Sequence, residues 1–164
     1  MKRCWRRLGG LLAAAIVLCG LSTEVHAETE VTELEVPVYH YFTDTETEVS
    51  DSFLVLQRGA YLSSGGLKLV VKGDGTIGIY GDTTAYSKCD KLYLDIYLER
   101  SSNGQSFYSY AGPWEYTASN AYSLSKSFTK SVPHGYYYRL RGYHAAKEGG
   151  VKESTSTMTN GKYV

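Results

Sequence analysis

Two rows of side chains have the types and spacing to do chemistry. Tyr93, Asp95, Tyr97 and Glu99 alternate with leucine and isoleucine in one stretch, and Tyr137, Arg139, Arg141 and Tyr143 alternate with inward-type residues in another. If the strands that carry them are neighbours, the outward rows meet. Aromatic pairs and opposite charges across strands stabilise a sheet by about 0.2–1 kcal/mol each. Tyrosines on a rigid sheet also present large contact area at small entropic cost, and their rings suit the flat apolar faces of sugars. Tyr93, Tyr97, Tyr137, Arg139, Arg141 and Tyr143 are therefore the candidate ligand contacts.

Other chemistries fare worse. His40, His134 and His144 show no metal-ligand spacing, so neither a metal nor a cofactor is expected. His144 has the inward parity of its stretch and reads as a core or rim histidine. No Gly-x-Ser-x-Gly elbow is present. Asp95 and Glu99 lie four apart on one strand face, about 13 Å at ~3.3 Å per residue, too far for the ~5–9.5 Å that paired catalytic carboxylates need. Only Arg139 and Arg141 cluster as cations, which argues against nucleic acid. The expectation is a protein without a catalytic site.

The elements that must hold these rows read as strands. Leu92, Leu94, Ile96 and Leu98 keep a strict period of two. Ser101-Ser102-Asn103-Gly104 is a hairpin signal, and Phe107 to Tyr116 returns from it. Leu67 to Val71, the turn Gly73-Asp74-Gly75 and Thr76 to Tyr80 form another hairpin. Tyr122 to Phe128 is a strand with serines outward, and Tyr136 to His144 turns through Glu148-Gly149-Gly150 into Val151 to Met158. About seven strands at 8–12-residue spacing predict an all-β antiparallel sandwich. The 16 tyrosines among 164 residues suit it, because broad rings pack well on pleated surfaces.

The run Gly135 to Gly142, with its following Gly-Gly turn and Glu153-Ser154, resembles the last two strands of fibronectin type III modules. Tyr136, Tyr138, Leu140 and Gly142 match the inward row of that pattern. The resemblance implies that Tyr136 is the corner tyrosine whose hydroxyl bonds back to nearby backbone. Leu92 to Ser101 followed by Trp114 is similar to strands C and C′. The chain also resembles a group of small secreted proteins of Gram-positive bacteria with no established activity. That likeness rests on Tyr97 to Arg100, Trp114 with Tyr116-Thr117, the Tyr136 to Arg139 run and Gly142 to His144. It supports the fold and says nothing about function.

The N-terminus has the three-part pattern of a bacterial-style secretory signal peptide over residues 1–27. Lys2, Arg3, Arg6 and Arg7 precede an apolar run from Leu11 to Leu21, and Val25-His26-Ala27 offers the cleavage site. The run is too short for a membrane span of about 20 residues, so no stable anchor is expected after cleavage. Export leaves 13 basic against 16 acidic residues and one cysteine, Cys89, which is either buried, the expected case, or paired between chains. Residues 28–51 carry eight acids and no Lys or Arg, which predicts a flexible acidic leader. Residues 52–164 carry 13 basic and 8 acidic residues and form the expected β-sandwich domain, against which the leader is drawn electrostatically. The reading is a secreted binding module that contacts a saccharide, a cell-wall polymer or a protein. The alternative is a structural protein that self-associates; the oligomeric state stays open.

Overall fold

A computed structural model describes residues 30–56 and 59–164. The predicted signal peptide, residues 1–27, lies outside the described residues. Among the latter no helix occurs, and none is therefore long and apolar enough to cross a membrane. The chain forms nine strands: β1 (Thr32–Glu35), β2 (Val38–Asp44), β3 (Glu48–Val55), β4 (Leu62–Gly73), β5 (Thr76–Ser101), β6 (Tyr108–Ser131), β7 (Tyr137–Glu148), β8 (Val151–Met158) and β9 (Lys162–Tyr163).

The strands make one curled sheet in the order β1-β8-β7-β5-β4-β3-β2, with β6 also on β5 and β9 also on β7. The curl comes from β5 and β6, which are 26 and 24 residues long. The first half of β5 pairs with β4 and the second half with β7, and both halves pair with β6. Between the halves the β5–β6 register shifts from Thr84 to Cys89. Such a shift lets a strand bend, and it folds one half of the sheet over the other. At the β4–β5 turn, Asp74 and Gly75 both have positive φ, at 50° and 64°, the conformation a tight twisted hairpin demands.

The core fills the space inside the curl. Leu92, Leu94, Ile96 and Leu98 of β5 are fully buried with Leu140 and Tyr138 of β7. Facing them are Leu67 and Leu69 of β4 and the early β5 residues Ile77 and Ile79. Gly81 has no side chain because Ile96 Cδ1 already lies 2.8 Å from where its Cβ would be. Each buried Leu or Ile contributes roughly 1.5–3 kcal/mol. Cys89 is a free thiol that is buried with them. Burial, with Glu148, Glu153 and Asp90 nearby, pushes its pKa up, so it stays a protonated, poorly reactive thiol.

Two expectations need correction. The leader is not a detached flexible segment: residues 32–35, 38–44 and 48–55 are strands, and the boundary after Asp51 cuts through β3. The sheet is also mixed, because β1 runs parallel to β8. Thr32 N–H donates to Gly150 O at 2.9 Å, and Val36 N–H to Ser154 O at 3.0 Å. Pro37 has no N–H to continue this pairing; its carbonyl accepts from Leu56 N–H, and β2 goes on along β3. The segment thus passes from one half of the sheet to the other, with Val36 and Val38 packed on the core. Its acids do not keep it disordered, because charges on a short edge strand guard the edge instead. Three of them meet lysines of the body: Glu33 with Lys152, Asp44 with Lys162 and Glu48 with Lys68, at 3.0–3.3 Å. Exposed pairs contribute at most about 1 kcal/mol, so backbone pairing is the main tether.

The corner tyrosine is also displaced by two residues. Tyr138, not Tyr136, donates its hydroxyl to Pro133 O at 2.9 Å. Tyr138 is fully buried, and its hydroxyl needs that acceptor. Tyr136 is half-buried and lies under the Arg100 guanidinium at 4.4 Å. Tyr138→Phe is therefore expected to cost about 1 kcal/mol in urea unfolding and Tyr136→Phe much less. Equal losses in the two variants would contradict the assignment.

Candidate binding face and adjoining cleft

The β5–β7 register brings the two predicted rows together. Tyr97 is opposite Arg141, Glu99 opposite Arg139, Asp95 opposite Tyr143, Tyr93 opposite Ala145 and Ser101 opposite Tyr137. All lie on the outer face of this half of the sheet, because the alternate residues fill the core. Glu99 is the centre of the charge pattern. Its carboxylate accepts from Arg139 Nε at 2.7 Å and from Arg141 Nε at 3.3 Å. The Arg141 guanidinium then lies 4.1 Å from the Tyr97 ring, and that of Arg139 lies 4.2 Å from the Phe107 ring.

At the other end of the rows, Lys152 of β8 sits between the rings of Tyr93 and Tyr143, at 4.8 and 5.0 Å. The Tyr143 hydroxyl donates to Glu33 of β1. Burial and that bond push the tyrosine pKa up, and the same bond pulls the Glu33 carboxyl down. Burial raises Asp95, with Glu115 adding to it. The Tyr93, Tyr97 and Tyr143 rings are thus capped by cations of the chain itself. Tyr137 packs edge to face on Tyr163 of β9 at 5.1 Å.

The open concavity lies at the Arg139 end of the face. A cleft of about 540 Å³ lies between β2, the end of β8 and the loop after β5, with Phe42, Phe107, Arg139 and Asn160 among its walls. The loop is fixed by its own side chains. Ser101 Oγ accepts from Asn103 and Gly104 N–H, and Asn103 Oδ1 accepts from Gln105 and Ser106 N–H, all at 3.0–3.2 Å. This is the physical content of the hairpin signal in the sequence. Phe107 at the end of the loop reaches Gly161, where a Cβ would stand 2.5 Å from its ring.

His40 and Asp51 complete the cleft. Asp51 takes an inward position on β3 among Val49, Phe53 and Val55 and is buried. His40 donates Nδ1–H to it at 2.8 Å, and Met158 N–H donates at 2.8 Å. His40 also stacks on Phe42, with ring centres 6.0 Å apart. Sequence reasoning missed His40, Phe42, Asp51, Phe107 and Asn160 as site residues. The first three become neighbours only when residues 38–55 are read as a hairpin. Among the described residues no three His, Cys, Asp or Glu side chains are grouped to hold a metal ion.

The sequence matches one family over residues 25–162, which takes in the acidic segment, the curled sheet and both walls of the cleft. The chain belongs to DUF6147, a family of unknown function. A comparison with curated proteins gives no match. In this DUF6147 chain the family region runs through β1 and β2 as well as the later strands, so the leader and the body fall within one family unit.

Proposed function

We propose that the chain is a secreted, non-catalytic β-sandwich of the fibronectin type III kind that binds a saccharide, a cell-wall polymer or a protein outside the cell. The observation that carries this reading is the rigid Tyr/Arg face ending in a cleft of about 540 Å³, within the ~300–1,000 Å³ usual for ligand sites. Phe42 and Phe107 offer ring faces for a sugar. The Arg139 guanidinium and the Asn160 amide supply donors for hydroxyl and acyl oxygens. A binding role is favoured over catalysis because, among the described residues, His40 bonds Asp51 but no serine, threonine or cysteine that could act as a nucleophile, and His144 is buried in the core between two threonines.

The experiment is co-sedimentation of the purified protein with insoluble peptidoglycan and common polysaccharides at low and moderate salt. Wild-type protein is expected to pellet with one polymer. Tyr137→Ala and Arg139→Ala, at the cleft end of the face, are expected to weaken that retention at least tenfold while a cooperative unfolding transition remains. Retention unchanged in both variants, or no retention by any polymer, would remove the saccharide reading. A second reading, self-association into extracellular material, is favoured by the exposed Tyr39, Tyr41 and Leu54 side by side on β2 and β3. It requires a mass that grows with protein concentration.

A further inference from the structure

The outer face of the other half of the sheet, on the far side of the core, carries a second concavity that the Tyr/Arg face does not explain. It is a groove of about 480 Å³ with Lys68, Val70, Lys72, Gly78, Tyr80 and Ser127 in its walls. Pairing explains the shape. Val70 of β4 is opposite Gly78 of β5, and Lys68 is opposite Tyr80, which is opposite Ser127 of β6. Gly78 leaves the middle of the face without a side chain. The two lysines are four residues apart on one strand face, about 13 Å at ~3.3 Å per residue.

The chemistry of the groove is cationic and ring-shaped at once. Val70 and Gly78 form an apolar floor, and Tyr80 is a partly exposed aromatic wall. The Ser127 and Tyr80 hydroxyls can donate or accept. Lys68 is bridged to Glu48 at 3.0 Å. The Lys72 stem crosses the floor, with Cε 2.9 Å and Nζ 3.7 Å from where a Gly78 Cβ would stand. Asp82 is the other acid beside Tyr80, and burial raises its pKa. We propose that this groove is a second binding site, specific for an acidic glycan, with a sugar ring between Val70 and Tyr80 beside the Lys72 stem and its acid group held by the Lys72 ammonium. A small neutral site would need no lysine in the floor, and a nucleic acid would need a longer basic track. With the cleft as the other site, the chain would join two polymer strands, and retention on a polymer carrying both ligands would gain from the high effective concentration of the second site.

Gly78→Thr tests the groove directly. Gly78 has ordinary extended φ, and its new Cβ would press mainly on the flexible end of Lys72, so the strand is expected to keep its fold while the floor is filled. The measurement is retention on immobilised polygalacturonate, with neutral dextran as the comparison. Wild type is expected to be retained by the acidic polymer and not by dextran. Gly78→Thr and Lys72→Ala should each lose at least tenfold, and Lys126→Ala, on the opposite side of the same half-sheet, should lose little. Equal losses in Lys126→Ala would show a mere charge effect and overturn the site. Failure of wild type to bind polygalacturonate, equal retention on dextran, or full retention by Gly78→Thr would each do the same. The outcome is separable from that of the cleft, because Tyr137→Ala and Arg139→Ala leave this groove untouched.

Discussion

Replacing Glu153 by Ala is expected to lower stability by roughly 3–5 kcal/mol, through the loss of one buried carboxylate that holds three backbone amides. Glu153 sits on β8 and is buried, and among the described residues it forms no ion pair. Its carboxylate instead accepts three backbone N–H groups from the segment that leads into β4: Ala60 at 2.8 Å, Tyr61 at 3.0 Å and Leu62 at 2.8 Å. Hydrogen bonds to a charged acceptor contribute about 1.5–3 kcal/mol each, and buried donors left without a partner cost about 1–3 kcal/mol each. Alanine removes all three acceptor contacts together, and water can restore only those that open to solvent. The unfolding midpoint should fall by on the order of 10 °C for a chain of this size. Hydrogen exchange should localise the effect, with the amides of residues 60–62 losing protection before those of β5. Glu153→Gln keeps the shape but turns an NH₂ toward one of the donors, so an intermediate loss is expected. A loss under about 1 kcal/mol in the alanine variant, the net worth of a single ordinary hydrogen bond, would mean that the segment is held by something else.

Glu153 also shows where the sequence ceases to be informative. The strands that carry hydrophobic alternation were legible, as were the turns at Asp74-Gly75 and Ser101 to Gly104, because each has a local physical signature. Parity put the Tyr93–Glu99 and Tyr137–Tyr143 rows on outward faces; that they meet was conditional on their strands being neighbours, and the register places them side by side. A buried carboxylate has no such signature when its partners are backbone N–H groups about ninety positions away. Asp51 is the same case, its partners being His40 and the Met158 amide. Residues 28–51 misled for a related reason: their charge argued against a core, but β1 and β2 need only an edge to pair with and two valines to bury. The bend that makes β5 and β6 single long strands was not legible either. It depends on how two halves of one hairpin pack over each other, which no local pattern encodes.

His144 ties the fold to pH, and its bonds set the sign of the effect. It lies fully buried in the core, edge to face with Phe53 at 5.2 Å. The Thr83 hydroxyl gives its proton to Tyr93 O at 3.0 Å, so its oxygen must accept from His144 Nδ1–H, also at 3.0 Å. Nε2 is then the bare nitrogen and accepts from the Thr157 hydroxyl at 2.8 Å. A proton on Nε2 would face a donor that already points at it, in a site without water-like polarity. Burial therefore pushes the pKa down to about 4, opposed by the Asp82 carbonyl and assisted by the nearby His40. In the unfolded chain the same imidazole titrates near its ordinary value of about 6.5. Between those values the unfolded state binds a proton that the folded state refuses, so stability falls as pH drops through this window. The folded state is at full advantage above about pH 6.5 and has lost roughly 3 kcal/mol by pH 4, of which about 2 kcal/mol is gone at pH 5. Asp82 and Asp95 act the other way, since burial raises their carboxyls and favours the folded state on acidification. The clean measurement is therefore the difference between wild type and His144→Asn, which keeps a donor for Thr83 but cannot take a proton. The variant should be the less stable protein at about pH 7, and the gap should close by about pH 4.5. A gap that stays constant across that range would mean that His144 takes up its proton without opening the core.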